Sequence, residues 1–322
     1  MNENDFASEG VLVAEFSRLH DWLGLWAMEP VAFEQLVQTL KRIDLVSHVR
    51  LMTEAKIPVV RSQLEKTAPD RSGNSIAIIK VTGTMMKSQS SMGGTSTVQI
   101  RRDLRQAAAD PEVTGILLAI DSPGGTTAGT HDLAADVKAA RKSKPVVAQI
   151  DDMGASAAYW AASQADAIYA SNPTTMVGSI GTFATVYDVS ESFAADGVKT
   201  YNFTTGPLKG MGTPGTVITE EQRAHWQAIV DRSQQAFDDG VRLGRGMSPK
   251  ELADVRTGAV WVGSDAIGKK LIDGVQSMGK TLDDMRRGRI TKTGSSSLVD
   301  GGYNPESGGG LPTKQLVGLP TL

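Results

Sequence analysis

The chain contains no cysteine. That absence excludes structural disulfides, thiolate catalysis and cysteine-ligated zinc, and it fits a reducing compartment. Imidazole is scarce: four histidines, His20, His48, His131 and His225, serve the whole chain. No uninterrupted apolar run reaches the ~18 residues of a membrane-spanning helix, so no membrane span is expected. Neither sign of charge dominates. The 33 basic and 36 acidic residues leave a net charge of −3, which gives no basic footprint, and no nucleic-acid partner is expected. The opening residues Asn2, Glu3, Asn4 and Asp5 lack the basic and long apolar regions of a signal peptide, so the expected location is cytoplasmic.

What is present has the balance of an ordinary globular chain. Hydrophobic residues make up 40% and charged residues 21%, enough to bury a sizeable core. Residues 1 to about 66 read as helical, because Phe33, Leu36, Val37, Leu40 and Ile43 recur at helical spacing after a start at Pro30. Trp22, Leu25 and Trp26 add an apolar patch. A helical arm, 1–67, is therefore expected to pack on the main domain or on a neighbouring subunit. Ala68–Asn74 is a polar joint containing proline and glycine.

Beyond the joint, apolar strands alternate with helices. Ile76–Val81, Gly115–Ile120 and Pro145–Ile150 are the strands, and Val98–Ala109, Ala128–Arg141 and Ala157–Ser163 the helices. Continuous apolar runs in that alternation predict an α/β fold with a buried, mostly parallel sheet. Ala167–Ala170 and Thr182–Tyr187 are further short strand candidates. Thr219–Gln222 reads as a capping box opening a long helix to about Gly244, with Trp226, Ile229, Val230, Phe237 and Val241 as its buried stripe. Ser248–Glu251 starts another helix by the same chemistry, with proline at its first position. Ala259–Val262 and Leu271–Ile272 are short apolar segments that close a domain spanning 68–289. A Gly/Ser-rich tail, 290–322, is expected to be flexible.

Four motifs could carry chemistry. Asp121-Ser122-Pro123-Gly124-Gly125 follows the second strand, and its adjacent glycines expose backbone N–H groups at the strand end where α/β proteins bind ligands. Gly154-Ala155-Ser156 stands likewise at the end of the next strand. Two such turns can face one pocket, in which the N–H groups of Gly125 and Ala157 form an oxyanion hole beside the Ser156 hydroxyl. Such donors supply about 2.7–4 kcal/mol each to a transition state. Each turn alone also fits a plain strand–helix connection or a capping serine.

A serine needs a base. The histidines lie in the arm or on helices, where packing or surface roles account for them, so a Ser-His-Asp triad is poorly supported. Lys209, in the Gly206–Gly212 loop, could serve if desolvation lowered its pKa from about 10.4 towards neutrality, although a solvated loop charge is the default for a lone lysine. Val177-Gly178-Ser179-Ile180-Gly181 offers Ser179 as a hydrogen-bond partner for that amine, or is simply a buried turn.

In their order, these motifs resemble the signal peptide peptidase A family of Ser/Lys peptidases, over about Ile76–Val275. The resemblance implies the repeated ββα spiral core shared with Clp protease and the crotonases. It implies Ser156 as nucleophile, Lys209 as general base, Ser179 as the residue orienting it, and Gly125 and Ala157 as oxyanion donors. No metal and no organic cofactor are implied. No counterpart of the membrane anchor carried by some members is expected. The segment Asp21–Trp26 instead resembles the phage branch, whose members are head-maturation proteases. The expected partners are then capsid or scaffold proteins and further copies of the chain, in a host cytoplasm or procapsid. Gly210 departs from the acidic residue often found after the lysine. Two alternatives share the fold: a crotonase-like acyl-CoA enzyme, which needs no Lys209, and a non-catalytic capsid-assembly subunit.

Overall fold

Residues 24–42, 63–88 and 94–290 are described by the computed structural model. Along the chain, β1 (Trp26–Met28), α1 (Pro30–Arg42) and β2 (Leu64–Lys66) come first. Three strand–helix units follow. The first is β3 (Ser75–Thr82), β4 (Met85–Met86), β5 (Thr95–Ser96) and α2 (Thr97–Ala109). The second is β6 (Val113–Ser122), β7 (Gly124–Thr126) and α3 (Thr130–Ala140). The third is β8 (Val146–Ala155) and α4 (Ala157–Ala162). After them come β9 (Ala167–Ala170), β10 (Met176–Gly178), α5 (Ser190–Ala195), α6 (Glu220–Arg245) and α7 (Pro249–Val255). The last elements are β11 (Val260–Val262), α8 (Gly263–Gly268), β12 (Gly274–Val275) and α9 (Met278–Arg286).

The first two units share one plan, a long strand in the large sheet, short strands in a second sheet, then a helix, and the third keeps the long strand and the helix. The large sheet runs β11-β10-β8-β6-β3-β2, with β9 beside β8 and β12 beside β9. The small sheet runs β1-β7-β4-β5. Strands β3, β6 and β8 are parallel neighbours and are covered on both faces, which is why they read as unbroken apolar runs. Ile79, Ile116, Leu118, Ile120, Ala148 and Ile150 form their buried centre, against Ile100 and Leu104 of α2 and Leu133 and Val137 of α3. β8 is long enough to pair twice along one edge: Val147–Ile150 with β9, and Met153–Ala155 with β10. That second pairing positions the residues after it. The ββα core that the resemblance implies is observed.

Several expectations need correction. The first 66 residues are not uniformly helical: among the described residues α1 is helical, but Trp26–Met28 and Leu64–Lys66 are strands. Each finds a free strand edge, β7 and β3, and inter-strand hydrogen bonds outweigh helix propensity in so short a segment. Residues 1–23, 43–62, 89–93 and 291–322 lie outside the described residues, and with them His20, His48, Trp22, Asp21, Ile43 and nearly all of the expected tail. Thr182–Tyr187 forms no strand; its one ladder contact is the bridge between Phe183 and Trp26. Leu271 and Ile272 are buried, as a closing apolar segment should be, and strand β12 follows at Gly274–Val275. On α6, Phe237 and Val241 are buried, whereas Trp226, Ile229 and Val230 are only half-buried.

Candidate active site

Ser156 stands at the junction of β8 and α4 with φ 54° and ψ −119°. A side chain is costly there, at about 1–3 kcal/mol, and the surroundings must impose the conformation. They do so from both sides. The Ser156 N–H donates to Gly178 O at 2.7 Å, and Trp160 N–H donates to Ser156 O at 2.8 Å. Register holds the first bond, since Ala155 lies opposite Gly178 in the β8–β10 pair. The side chain is fully buried, and its hydroxyl donates to Gly181 O at 3.4 Å. Ser179 repeats the strain at the end of β10, with φ 49° and its N–H donating to Ala259 O at 2.7 Å. Besides these two serines, Lys270 is the one other non-glycine residue with positive φ among the described residues.

The Asp121–Gly125 turn meets this junction. Gly124 has φ 97°, and a Cβ there would collide with the Ala27 carbonyl oxygen and stand 2.9 Å from Ala157 N. Glycine is what lets β7 approach the start of α4 this closely. As the first residue of α4, Ala157 has no intrahelical acceptor for its N–H. Ser122, to which the sequence pattern gave no role, fixes the turn: its buried hydroxyl donates to Gly83 O at 2.6 Å and accepts from Gly124 N–H at 3.2 Å. Burial raises the Asp121 carboxyl above its usual range. The Met153 N–H works against that shift, and the charges of Asp152 and Asp151 add to it.

The helix carrying the junction is itself held from behind. Trp160 stacks on Phe237 of α6, with ring centroids 4.8 Å apart. Tyr159 is buried and donates its hydroxyl to Leu271 O at 2.8 Å, and that burial pushes its own titration upward. His131 packs edge-on against Trp160 at 6.0 Å and His225 is exposed. No hydrogen bond joins either of them to Ser156.

The structure thus brings Ser156, Ala157, Gly125 and Ser179 to one end of neighbouring strands. No hydrogen bond links Lys209 to any of them among the described residues. Lys209 lies on an exposed turn closed by its N–H to Gly206 O at 3.0 Å. Among the described residues its amine has no hydrogen bond or ion pair. The surrounding segment displays apolar side chains to solvent: Phe203 is 95% exposed and Tyr201 74%. Among the described residues no group of three His, Asp or Glu side chains converges as a metal site requires, and no helix is long and apolar enough to cross a membrane.

Residues 138–290 match Peptidase family S49. The chain is 32% identical over 206 residues to Protease 4 of Salmonella typhi, covering 64% of this chain and 33% of that protein. It is 31% identical over 243 residues to capsid assembly protease C of Escherichia phage lambda, covering 70% of this chain and 54% of that protein. The chain therefore spans between about a third and a half of the length of these relatives. Among solved structures, a mutant of the 1510-N membrane-bound stomatin-specific protease matches with a TM-score of 0.41 and 14% identity, covering 67% of this chain and 86% of that one. The family resemblance read from the motifs is borne out.

Proposed function

We propose, from the premise that residues 138–290 carry a peptidase family S49 domain, that this chain is a serine endopeptidase using Ser156 and Lys209. The observation that carries the reading is the strained, buried Ser156 beside the Ala157 N–H and the Gly124–Gly125 turn. In this reading the Ser156 Oγ attacks a peptide carbonyl carbon. Lys209 takes the hydroxyl proton and returns it to the departing nitrogen as the carbon–nitrogen bond breaks. Gly125 and Ala157 donate to the oxyanion, and Ser179 orients the lysine. A water deprotonated by Lys209 then hydrolyses the ester on Ser156.

The exposure of Lys209, Phe203 and Tyr201 supports a homo-oligomer in which this segment packs against another copy. Such packing would withdraw the amine from water and favour the neutral form that a base requires. Likeness to the lambda capsid assembly protease supports capsid or scaffold proteins as substrates during head maturation, in a host cytoplasm or procapsid.

The test compares the parental chain with Ser156→Ala and Lys209→Ala on casein and on a capsid protein. Each substitution is expected to lower kcat by about 10³-fold or more, and parental activity is expected to rise with pH. Cleavage that survives both substitutions would overturn the assignment.

A further inference from the structure

Leu25–Glu29, in the arm expected to pack on the main domain, lies close to the Ser156 junction. β1 lies antiparallel to β7, with Trp26 opposite Thr126, Ala27 opposite Gly125 and Met28 opposite Gly124. Thr127 N–H donates to Leu25 O at 3.1 Å, and Glu29 N–H donates to Pro123 O at 2.8 Å. The other edge is also held. Trp26 N–H donates to Phe183 O, and Phe183 N–H to Trp26 O, both at 2.9 Å. The segment is an extended peptide inserted between two walls. One wall is the strand carrying Gly125. The other begins just past Gly181, whose carbonyl accepts the Ser156 hydroxyl. This is how a peptide binds by strand addition.

The register makes the resemblance to a bound substrate specific. Hydrogen-bonded pairs alternate along an antiparallel ladder. The bonds at Leu25 and Glu29 therefore make Ala27–Gly125 a bonded pair, in which Gly125 N–H donates to Ala27 O. The same carbonyl oxygen borders the point 2.9 Å from Ala157 N that a Gly124 side chain would fill. The Gly125 N–H thus meets the Ala27 carbonyl, and Ala27 O and Ala157 N both border the space beside the Gly124 Cα. With the strand seated, Trp26, Ala27 and Met28 are buried at 2%, 0% and 3% exposure, and Ser156 is at 0%. Aromatic contacts close the outside: Trp26 lies 5.1 Å from Phe33 of α1, and Phe33 lies 5.0 Å from Phe183.

We propose that Leu25–Glu29 is a self-supplied peptide that occupies the substrate groove and must withdraw before another chain can be cut. The proposal rests on the assignment of Ser156 as nucleophile. Affinity for an outside peptide is then reduced by the fraction of time the groove is empty.

The experiment uses the full chain with two arm variants. Ala27→Pro removes the N–H that the ladder requires, and Trp26→Ala removes the aromatic closure. On a peptide substrate each variant is expected to lower KM at least tenfold with kcat little changed. The second readout needs no turnover. In a Ser156→Ala background, a fluorescent synthetic peptide spanning Gly24–Pro30 is expected to bind the arm variants at least tenfold more tightly than the intact arm. Faster hydrogen exchange at the Phe183 amide when unlabelled peptide is added to the unmodified chain also supports strand exchange. Equal peptide binding by the intact and variant arms, with exchange at Phe183 unchanged, would overturn the proposal and make β1 a permanent part of the sheet. If no Ser156-dependent cleavage is seen while peptide binding still separates the arms, the groove assignment stands and the peptidase reading fails.

Discussion

Gly240 and Gly244 allow α6 to lie directly on α4, and replacing Gly244 tests whether that contact positions Ser156. A Cβ on Gly244 would collide with the Ser163 carbonyl oxygen and stand 2.7 Å from Gln164 Nε2. The same glutamine nitrogen donates to Gly240 O at 2.8 Å, tying the helices together. Helix propensity alone favours alanine over glycine by about 0.8–1.0 kcal/mol. The obstructing atom is backbone, however, and overpacking of that kind costs about 1–3 kcal/mol. The clash wins, and Gly244→Ala should be destabilising by about 1 kcal/mol. Gly279, in the first turn of α9, is the control, because an added Cβ there meets nothing within 4 Å. Gly279→Ala should stabilise by about 0.5–1 kcal/mol. At about 2–4 °C per kcal/mol for a domain of this size, thermal melts of the two variants should differ by roughly 4–8 °C on opposite sides of the parent. Activity should fall in Gly244→Ala, whose α4 is displaced, and persist in Gly279→Ala. If Gly244→Ala melts at or above the parental temperature, the close contact does not constrain α4 and the reasoning is wrong.

Other consequences can be checked with the same tools. Ser156→Gly relieves the positive φ and should raise stability by about 1 kcal/mol while abolishing cleavage; a lower melting temperature would contradict the strain. Tyr159→Phe leaves the buried Leu271 carbonyl without its donor and should cost about 1–3 kcal/mol in a urea titration. Glu251 is held at about 2, first by the Lys270 amine and then by bonds from Ser248. Its pKa is depressed on folding, so its stabilisation is complete above the ordinary value near 4.5 and is lost as pH falls towards 2. Glu251→Gln should flatten that part of the stability–pH curve, and an unchanged acid limb would refute the pairing.

Much of the core was legible because burial leaves an unmistakable pattern. Strands β3, β6 and β8 are covered on both faces, so nothing polar interrupts Ile76–Ile79, Ile116–Ile120 or Val146–Ala148. The starts of α6 and α7 were legible because a capping box is local: Thr219 with Gln222, and Ser248 with Glu251, exchange their bonds within four residues. Ser156 and Ser179 announced themselves by flanking glycines at strand ends. β1 was not legible, since three residues show no period and the edge that orders them is Thr126, far away in sequence. The stripe on α6 was half right. Phe237 and Val241 find α4, but Trp226, Ile229 and Val230 are only half-buried. Lys209 was identifiable as a residue type in a glycine loop, whereas its surroundings depend on contacts that loop composition does not encode.

The peptide bonds from Trp26 to Glu29 run straight into α1, so the strand proposed to fill the groove is tethered rather than free. A ligand on a short tether faces its site at an effective concentration on the order of millimolar. An untethered chain can displace it only when crowded to a comparable density. Under the proposed reading, selectivity would then acquire a second criterion beside residue preference: molecules packed together would be cut, and the same molecules in dilute solution would be ignored.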